Sequence, residues 1–530
     1  MKKLPVGIQT FRKIIEGGYL YADKTRYIYD LAAQGQYFFL SRPRRFGKSL
    51  LVDTMKDAFS GQRALFDGLF LGSSDFDFTP SPVIRLDLSV IENSSPEALR
   101  RGLIANLATL AVDAGAVIEA VDPAEYLRQL IMALAKSTGR PVVILIDEYD
   151  KPIIDHLDEP ALADQNRREF RYFYGILKGL DAHLRFVFLT GVSKFTRTSL
   201  FSQLNNLTDV SLHPCYANIC GFVDTEFDDL FGERLARLRI PGIPDDVAAQ
   251  RQAVFDWYDG YSWDGASHVF NPFSVLSFFE RERLYPFWYA TGAPQFLMTR
   301  LRQDPADYSV VQGAQITELL LDSHEIEQAS LVSLLFQTGY LTVRAMDDEV
   351  WPARYTLSFP NEEVSTSFSG QFLDSITADT PTADTWYAQM RQALDEGRPE
   401  YLAEALSGLF ATIPYQLHLP AEAFYHAIFL AVMQFLGLRV IGEGSVAGGR
   451  IEGVIDRSGG RSYVVELKYV RAEQEAEIDT LLDEAVADAL AQIADHGYAD
   501  RYRGTRREVH QVGIAVAGRG RVRVRSQAPA

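Results

Sequence analysis

The sequence predicts an α/β protein: a mainly parallel sheet with a helical lid, followed by a second, smaller α/β domain. Three observations predict it. Short continuous apolar runs, "YFFL" (37–40), "VVILID" (142–147) and "RFVFLTG" (185–191), alternate with helical patterns in the N-terminal part. Strands covered on both faces read as unbroken apolar runs, as in parallel sheets flanked by helices. A polar, proline-broken stretch, "SITADTPTADT" (375–385), then reads as a linker, and glycine-punctuated strands and a long helix follow it. The expected boundaries are 1–215 for the sheet domain, 216–374 for the lid and connecting region, and 385–530 for the C-terminal domain.

Each element has a local reason. "YFFL" ends at a glycine-containing turn, and "SLLVDTMKDAF" continues as a helix. The patterns "SPEALRRGLIANLATLAVDAG" and "DPAEYLRQLIMALAKST" open behind Ser95 and Asp122, residues whose short oxygen-bearing side chains cap helix starts. The middle region is rich in helix signals and aromatics, including "WYDGYSWDG" and "FNPFSVLSFFE". Beyond the linker come helices, strands between 439 and 468, a helix near 472–496 and a last strand, "QVGIAVAG".

Composition bounds the function. The 530-residue chain has 52 basic and 70 acidic side chains, a net charge of −18, which argues against a general nucleic-acid coat. Its last segment is nevertheless arginine-rich, "RYRGTRREVH" and "GRGRVRVRSQ", and reads equally as a solvated tail or a phosphate-facing surface. Two cysteines, Cys215 and Cys220, cannot form a disulfide framework, and with His213 they lack a fourth metal ligand. The longest apolar stretch, "AIFLAVMQFLGL" (427–438), is shorter than the roughly 20 residues that span a bilayer. The expectation is a cytoplasmic protein with no membrane partner.

The first chemical site is "SRPRRFGKSL". It matches the end of G-x-x-x-x-G-K-[ST], but Arg42 stands where the first glycine belongs. In such a loop, backbone N–H groups and a helix N-terminus cradle phosphates, the lysine adds charge, and the serine hydroxyl coordinates Mg²⁺. Arg42 is compatible with the cradle only if its side chain points away from it. The strand "VVILID" ends in Asp147-Glu148, an acidic pair suited to hold Mg²⁺ and to polarise an attacking water. The run "FVFLTGVSK" ends in Thr190 and Ser193, which could sense a γ-phosphate between the other two strands. Together the three strand ends indicate nucleotide binding.

The second site is the hairpin "GGRIEGVIDRSGGRSYVVELKY". Side chains alternate, so Glu466 and Lys468 project from one face and Val465 and Leu467 from the other. Centring the turn on Gly459 sets Glu452 opposite Glu466, and Asp456 opposite Ser462. Facing residues in such a pair lie roughly 5 Å apart, near enough for two carboxylates to share a divalent ion beside a lysine. A solvent-facing hairpin with an ordinary Glu–Lys pair fits the spacing as well.

"YADKTRYIYDL", "FFLSRPRRFGKSLLVDTM", "VVILIDEYDKPI" and "FLTGVSKFTRTSLFSQLNNL" resemble bacterial AAA-ATPase-like proteins that carry a C-terminal PD-(D/E)XK nuclease-superfamily domain. The resemblance continues through "WYDGYSWDG", "FNPFSVLSFF", "FPNEEV" and "FYHAIFLAVMQFLGLRV" and so covers nearly the whole chain. That family's loop reads RPRRFGK[ST], so the missing glycine is its own pattern. The resemblance implies a P-loop ATPase that binds ATP through Arg44, Arg45, Phe46, Gly47, Lys48, Ser49 and Leu50. Ser49 and Asp147 would hold Mg²⁺, with Glu148 as catalytic residue and Ser193 as sensor. Asp23, Lys24 and Thr25 match its DKT and would approach the adenine end. Arg44, Arg45 and Arg197 are candidate charge stabilisers. In the C-terminal domain Glu452 and Glu466 would bind Mg²⁺ or Mn²⁺, with Lys468 catalytic and Glu422, His426, Glu443 and Gln492 in support. Glu452 stands where the family has aspartate. The implied partners are ATP, nucleic acid (DNA ahead of RNA) and, because AAA relatives often form rings, further copies of the chain. The alternative is a nucleotide-dependent switch whose nuclease-like domain binds a partner or nucleic acid without cleaving it.

Overall fold

The computed structural model describes the chain except residues 157–158, 195–203, 205, 290–294, 304, 312, 322–329, 350, 379, 419–420, 443–452, 457–460, 472–476, 496–507, 519 and 528–530. It divides into two compact units, Met1–Thr291 with Gln315–Asn361, and Gly292–Ala314 with Glu362–Ala530.

The first unit is built on a five-stranded parallel sheet of order β2-β3-β4-β1-β5. Its strands are β1 (Tyr37–Ser41), β2 (Val83–Asp87), β3 (Val142–Asp147), β4 (Leu184–Gly191) and β5 (Thr208–Asp209). The three apolar runs are therefore neighbours, and β4 lies between β1 and β3. Alternation sorts their side chains. Phe39, Leu86, Ile144, Ile146, Val187 and Leu189 share one core with Leu103, Leu127 and Phe170 of the helices Pro96–Asp113, Pro123–Thr138 and Pro160–Gly175. The opposite face receives the helix Lys48–Phe59: Arg85 of β2 pairs with Asp53 at 2.6 Å, and Phe186 of β4 lies 4.9 Å from Phe59. Asp87, Asp147 and Thr190 follow the period-2 rule onto this second face, at the carboxyl ends of their strands. Both expected caps form: Ser95 accepts from Ala98 N–H, and Asp122 from Ala124 and Glu125 N–H.

Downstream, the helices Asp224–Leu235, Val247–Tyr258 and Pro272–Arg281 bury an aromatic core. Phe227 stacks on Phe270 at 4.7 Å and Phe231 on Phe279 at 4.8 Å. A small sheet of order β6-β8-β7 (Ala314–Thr317, Arg354–Ser358, Thr342–Asp347) accompanies them. Its strands were not legible beside the stronger helical and aromatic signals.

The second unit holds a mixed sheet of order β13-β12-β11-β10-β9. The strands are β9 (Arg439–Gly442), β10 (Gly453–Asp456), β11 (Arg461–Val470), β12 (Glu508–Ala517) and β13 (Arg521–Gln527). β11 and β12 run parallel, and the helix Ile478–Asp495 in the connection between them packs on both. The stretch 375–385 is not an open linker: it enters the helix Thr380–Asp395, whose first turn accepts Pro381 because a residue there needs no N–H for the intrahelical bonds. No described helix is long and apolar enough to cross a membrane.

Candidate functional site

The phosphate loop begins where β1 ends. Gly47, at φ 93°, precedes the helix Lys48–Phe59, a left-handed turn that glycine adopts without a Cβ penalty. Arg42 is fully buried and turned away from the loop's interior. Its Nη1 donates to the carbonyls of Ser41 (2.9 Å) and Ser211 (2.8 Å), and its Nη2 to those of Tyr216 (3.0 Å) and Ala217 (3.4 Å). Its guanidinium lies 3.9 Å from the Trp263 ring centre. Burial lowers its pKa to about 10, so it remains a cation at neutral pH. The requirement that Arg42 leave the cradle clear is met.

Aromatic residues hold the rest of the loop. Phe46 is buried against Tyr261 (4.7 Å) and Trp263 (5.4 Å). Trp288 Nε1 donates to the Arg44 carbonyl at 3.0 Å, and the Arg45 guanidinium covers Phe273 at 3.8 Å. Arg45 itself adopts φ 67°, costly for a side chain with a Cβ and maintained by this packing. "WYDGYSWDG" and "FNPFSVL" thus embrace the phosphate loop. Of the three candidate arginines, Arg45 is committed to Phe273, Arg44 is exposed, and Arg197 lies outside the described residues.

Lys48 and the acids converge at the carboxyl ends of β1 and β3. Lys48 Nζ donates to the carbonyls of Arg42 and Pro43, both at 3.0 Å, and lies 3.7 Å from Glu148. Glu148 has φ 54°, another left-handed conformation that a non-glycine residue rarely holds outside a constrained site. Asp147 is fully buried, and its Oδ2 has no hydrogen-bond partner among the described residues. Burial raises its pKa to about 6, with Glu148 adding to the rise and the Ser49 hydroxyl and Lys48 opposing it. A divalent cation would reverse that balance, and the orphaned oxygen beside Ser49 fits a Mg²⁺ ligand. Leu50 lies one residue further along the helix, half-buried, and its carbonyl accepts from the Thr54 hydroxyl.

The β4 end divides its two candidates. The Ser193 hydroxyl donates to Asp150 at 2.8 Å, while Thr190 Oγ1, on the same sheet face as Asp147, has no partner among the described residues. Asp150 was not a sequence candidate. It is fully buried and accepts from Val192 N–H (3.1 Å), Ser193 N–H (2.6 Å) and the Ser193 hydroxyl. A Cβ on Gly191 would lie 2.4 Å from Asp150 Oδ1, so the glycine of "FLTG" is required by this approach. Burial, with Glu148 nearby, raises the Asp150 pKa to about 6. The available signal was the second aspartate of "DEYD", masked by the acidic pair before it.

In the second unit, Glu466 is buried and pairs with Lys468 at 2.9 Å, and Lys468 donates to Gln492 Oε1 at 2.5 Å. The helix Glu422–Phe435 begins beside this group: Glu422 accepts from Tyr469 N–H at 3.4 Å, and burial raises its pKa against the opposing pull of Lys468. Four sequence-predicted residues, Glu422, Glu466, Lys468 and Gln492, are thereby brought together. Burial lowers the His426 pKa to about 4, so this side chain is neutral at pH 7. The expected hairpin register is observed where it is described, Asp456 facing Ser462 and Gly453 facing Val465. Glu452 and Glu443 lie outside the described residues. Among the described residues no three His, Cys, Asp or Glu side chains form a metal cluster.

The comparisons agree with the order of an N-terminal sheet domain and a C-terminal mixed-sheet domain. A family model described as a predicted AAA-ATPase matches residues 5–201, and one for the PD-(D/E)XK nuclease superfamily matches 420–526. The chain is 35% identical over 522 residues to a protein of Azotobacter chroococcum mcd 1 described as an uncharacterized protein in the vnfD 5′ region, covering 97% of this chain and 96% of that one. The chain belongs to the AAA-ATPase-like family. No solved structure matches it.

Two expectations for this AAA-ATPase-like chain change in detail. Its DKT residues are spent on local structure: Asp23 accepts from Thr25 N–H (2.9 Å), the Thr25 hydroxyl (2.6 Å) and Phe70 N–H (2.7 Å), and Lys24 pairs with Glu226 at 2.7 Å. Two terminal arginines are also engaged: Arg523 pairs with Asp479 (3.0 Å) and Arg525 with Asp483 (2.8 Å) of the helix Ile478–Asp495, while Arg501, Arg503, Arg506, Arg507 and Arg519 lie outside the described residues. Arg523 and Arg525 of β13 thus have acidic partners within the domain.

Proposed function

We propose that the chain binds and hydrolyses ATP with Mg²⁺ at the phosphate loop, and that its C-terminal domain is a metal-dependent nuclease acting on nucleic acid, DNA ahead of RNA. The observation that carries the first part is the convergence of Lys48, Asp147, Glu148 and Thr190 at the start of the Lys48–Phe59 helix. Lys48 is held on loop carbonyls, within reach of Glu148, so its ammonium is already inside the cradle. Bound Mg²⁺ would neutralise phosphate charge, with Ser49 and Asp147 as its protein ligands. Glu148 would orient and deprotonate the attacking water. Thr190, whose hydroxyl has no partner among the described residues, suits the sensor role better than Ser193.

The Glu466–Lys468–Gln492 chain, with Glu422 beside it, supports the second part. Glu466 and Glu452 would hold Mg²⁺ or Mn²⁺, with Lys468 at the scissile phosphate and Gln492 orienting its ammonium. Glu452, standing for the family's aspartate, favours a second reading in which the domain binds without cutting. The test is degradation of supercoiled, linear and single-stranded DNA and of RNA in Mg²⁺ or Mn²⁺, with and without ATP. Cleavage abolished by Glu466→Ala is the expected result. ATP binding without cleavage under any of these conditions would favour the switch, and nucleotide binding that survives Lys48→Ala would sink the ATP reading.

A further inference from the structure

We propose that Arg42, in the position where phosphate loops ordinarily carry glycine, is a positioning residue of the nucleotide site; this rests on the ATP reading above. The two carbonyls that receive the Lys48 ammonium belong to Arg42 itself and to Pro43, both at 3.0 Å. Where those oxygens sit decides where Lys48 sits. The Arg42 backbone is fastened on one side by its N–H to the Gly191 carbonyl at 3.1 Å. On the other side its guanidinium reaches the Ser211, Tyr216 and Ala217 carbonyls and lies against Trp263.

Shape alone does not call for an arginine. A glycine would complete the turn at lower desolvation cost, whereas a fully buried guanidinium must be repaid by well-placed acceptors. Here the acceptors are carbonyls of the segment after β5, and the covering ring comes from the aromatic lobe. One rigid fork therefore connects the loop that seats Lys48 to two other parts of the unit. Arg42 acts through Lys48 and needs no contact with nucleotide. Trp288 on the Arg44 carbonyl and Phe46 between Tyr261 and Trp263 continue the same bracing along the loop.

The test measures Mg²⁺–ATP affinity by titration calorimetry on the full chain for Arg42→Gly, Arg42→Lys and Lys48→Ala. Arg42→Gly restores the ordinary loop consensus, yet the expected result is a loss of about tenfold or more in affinity. Free guanidinium at millimolar concentration is expected to recover part of that loss in Arg42→Gly and none in Lys48→Ala, a response a general packing defect would not give. Arg42→Lys keeps charge and most of the volume but cannot fork to several carbonyls, so it decides the matter should the glycine variant fail to fold; weakened binding is expected. Wild-type affinity in the folded Arg42 variants, or a loss in Arg42→Gly that is indifferent to guanidinium, overturns the proposal. Wild-type affinity in Lys48→Ala instead overturns the ATP reading on which it rests.

Discussion

Replacing Asp150 by alanine tests whether a buried carboxylate organises the end of β4. In the native chain Asp150 accepts from two backbone N–H groups, of Val192 and Ser193, and from the Ser193 hydroxyl. The hydroxyl can rotate to another acceptor, but the two N–H groups cannot. Each buried donor left unpaired costs about 1–3 kcal/mol. Removing the buried charge returns part of this, since its pKa is already raised to about 6. The expected net loss is about 3 kcal/mol, a fall of about 4 °C in the melting temperature of the first unit. Asp150→Asn keeps one acceptor but turns an amide donor toward the two N–H groups, so it should lie between alanine and wild type. Thermal unfolding of the full chain, with hydrogen exchange at the Val192 and Ser193 amides, reads both effects. A shift under about 1 °C with unchanged exchange at those amides would refute the reasoning.

Thr190→Val removes a hydroxyl without a partner among the described residues, so stability should hold or rise slightly while ATP turnover falls; equal turnover would remove Thr190 from the site. Gly47→Ala, forced to φ 93°, should cost about 1 kcal/mol or more and weaken ATP binding, measured by melting and titration together. The His426 pKa is lowered from 6.5 to about 4, so the unfolded chain takes up its proton first. This contribution to stability is complete above pH 6.5 and is lost as pH falls toward 4, by up to about 3 kcal/mol. In His426→Gln the acid sensitivity of the second unit over that window should shrink, and an unchanged slope would place its cause elsewhere. Gln492→Leu should leave metal binding intact and lower nuclease activity about tenfold by freeing Lys468, whereas loss of metal binding would make Gln492 more than an orienting group.

The sequence by itself determined what is local. Apolar runs closed by GKS, DE and TGVS announced three buried strands with chemistry at their ends, because a strand covered on both faces must be apolar and its polar residues collect where it leaves the sheet. Ser95 and Asp122 announced helix starts through capping, and centring the hairpin on Gly459 anticipated the register that sets Asp456 opposite Ser462. What it left open were contacts between segments distant in the chain. Arg42 finds its acceptors at Ser211, Tyr216 and Ala217, and Lys468 meets Gln492 only after a helix has folded back on β11. Asp150 and Ser193 meet because β3 and β4 are adjacent, an adjacency that no local propensity encodes. The same holds for Arg523 and Arg525, which meet Asp479 and Asp483 of a preceding helix. Spacing and periodicity specify which face a side chain takes. Only the closed tertiary structure decides which partner waits there, because that choice depends on burial and desolvation summed over the whole unit.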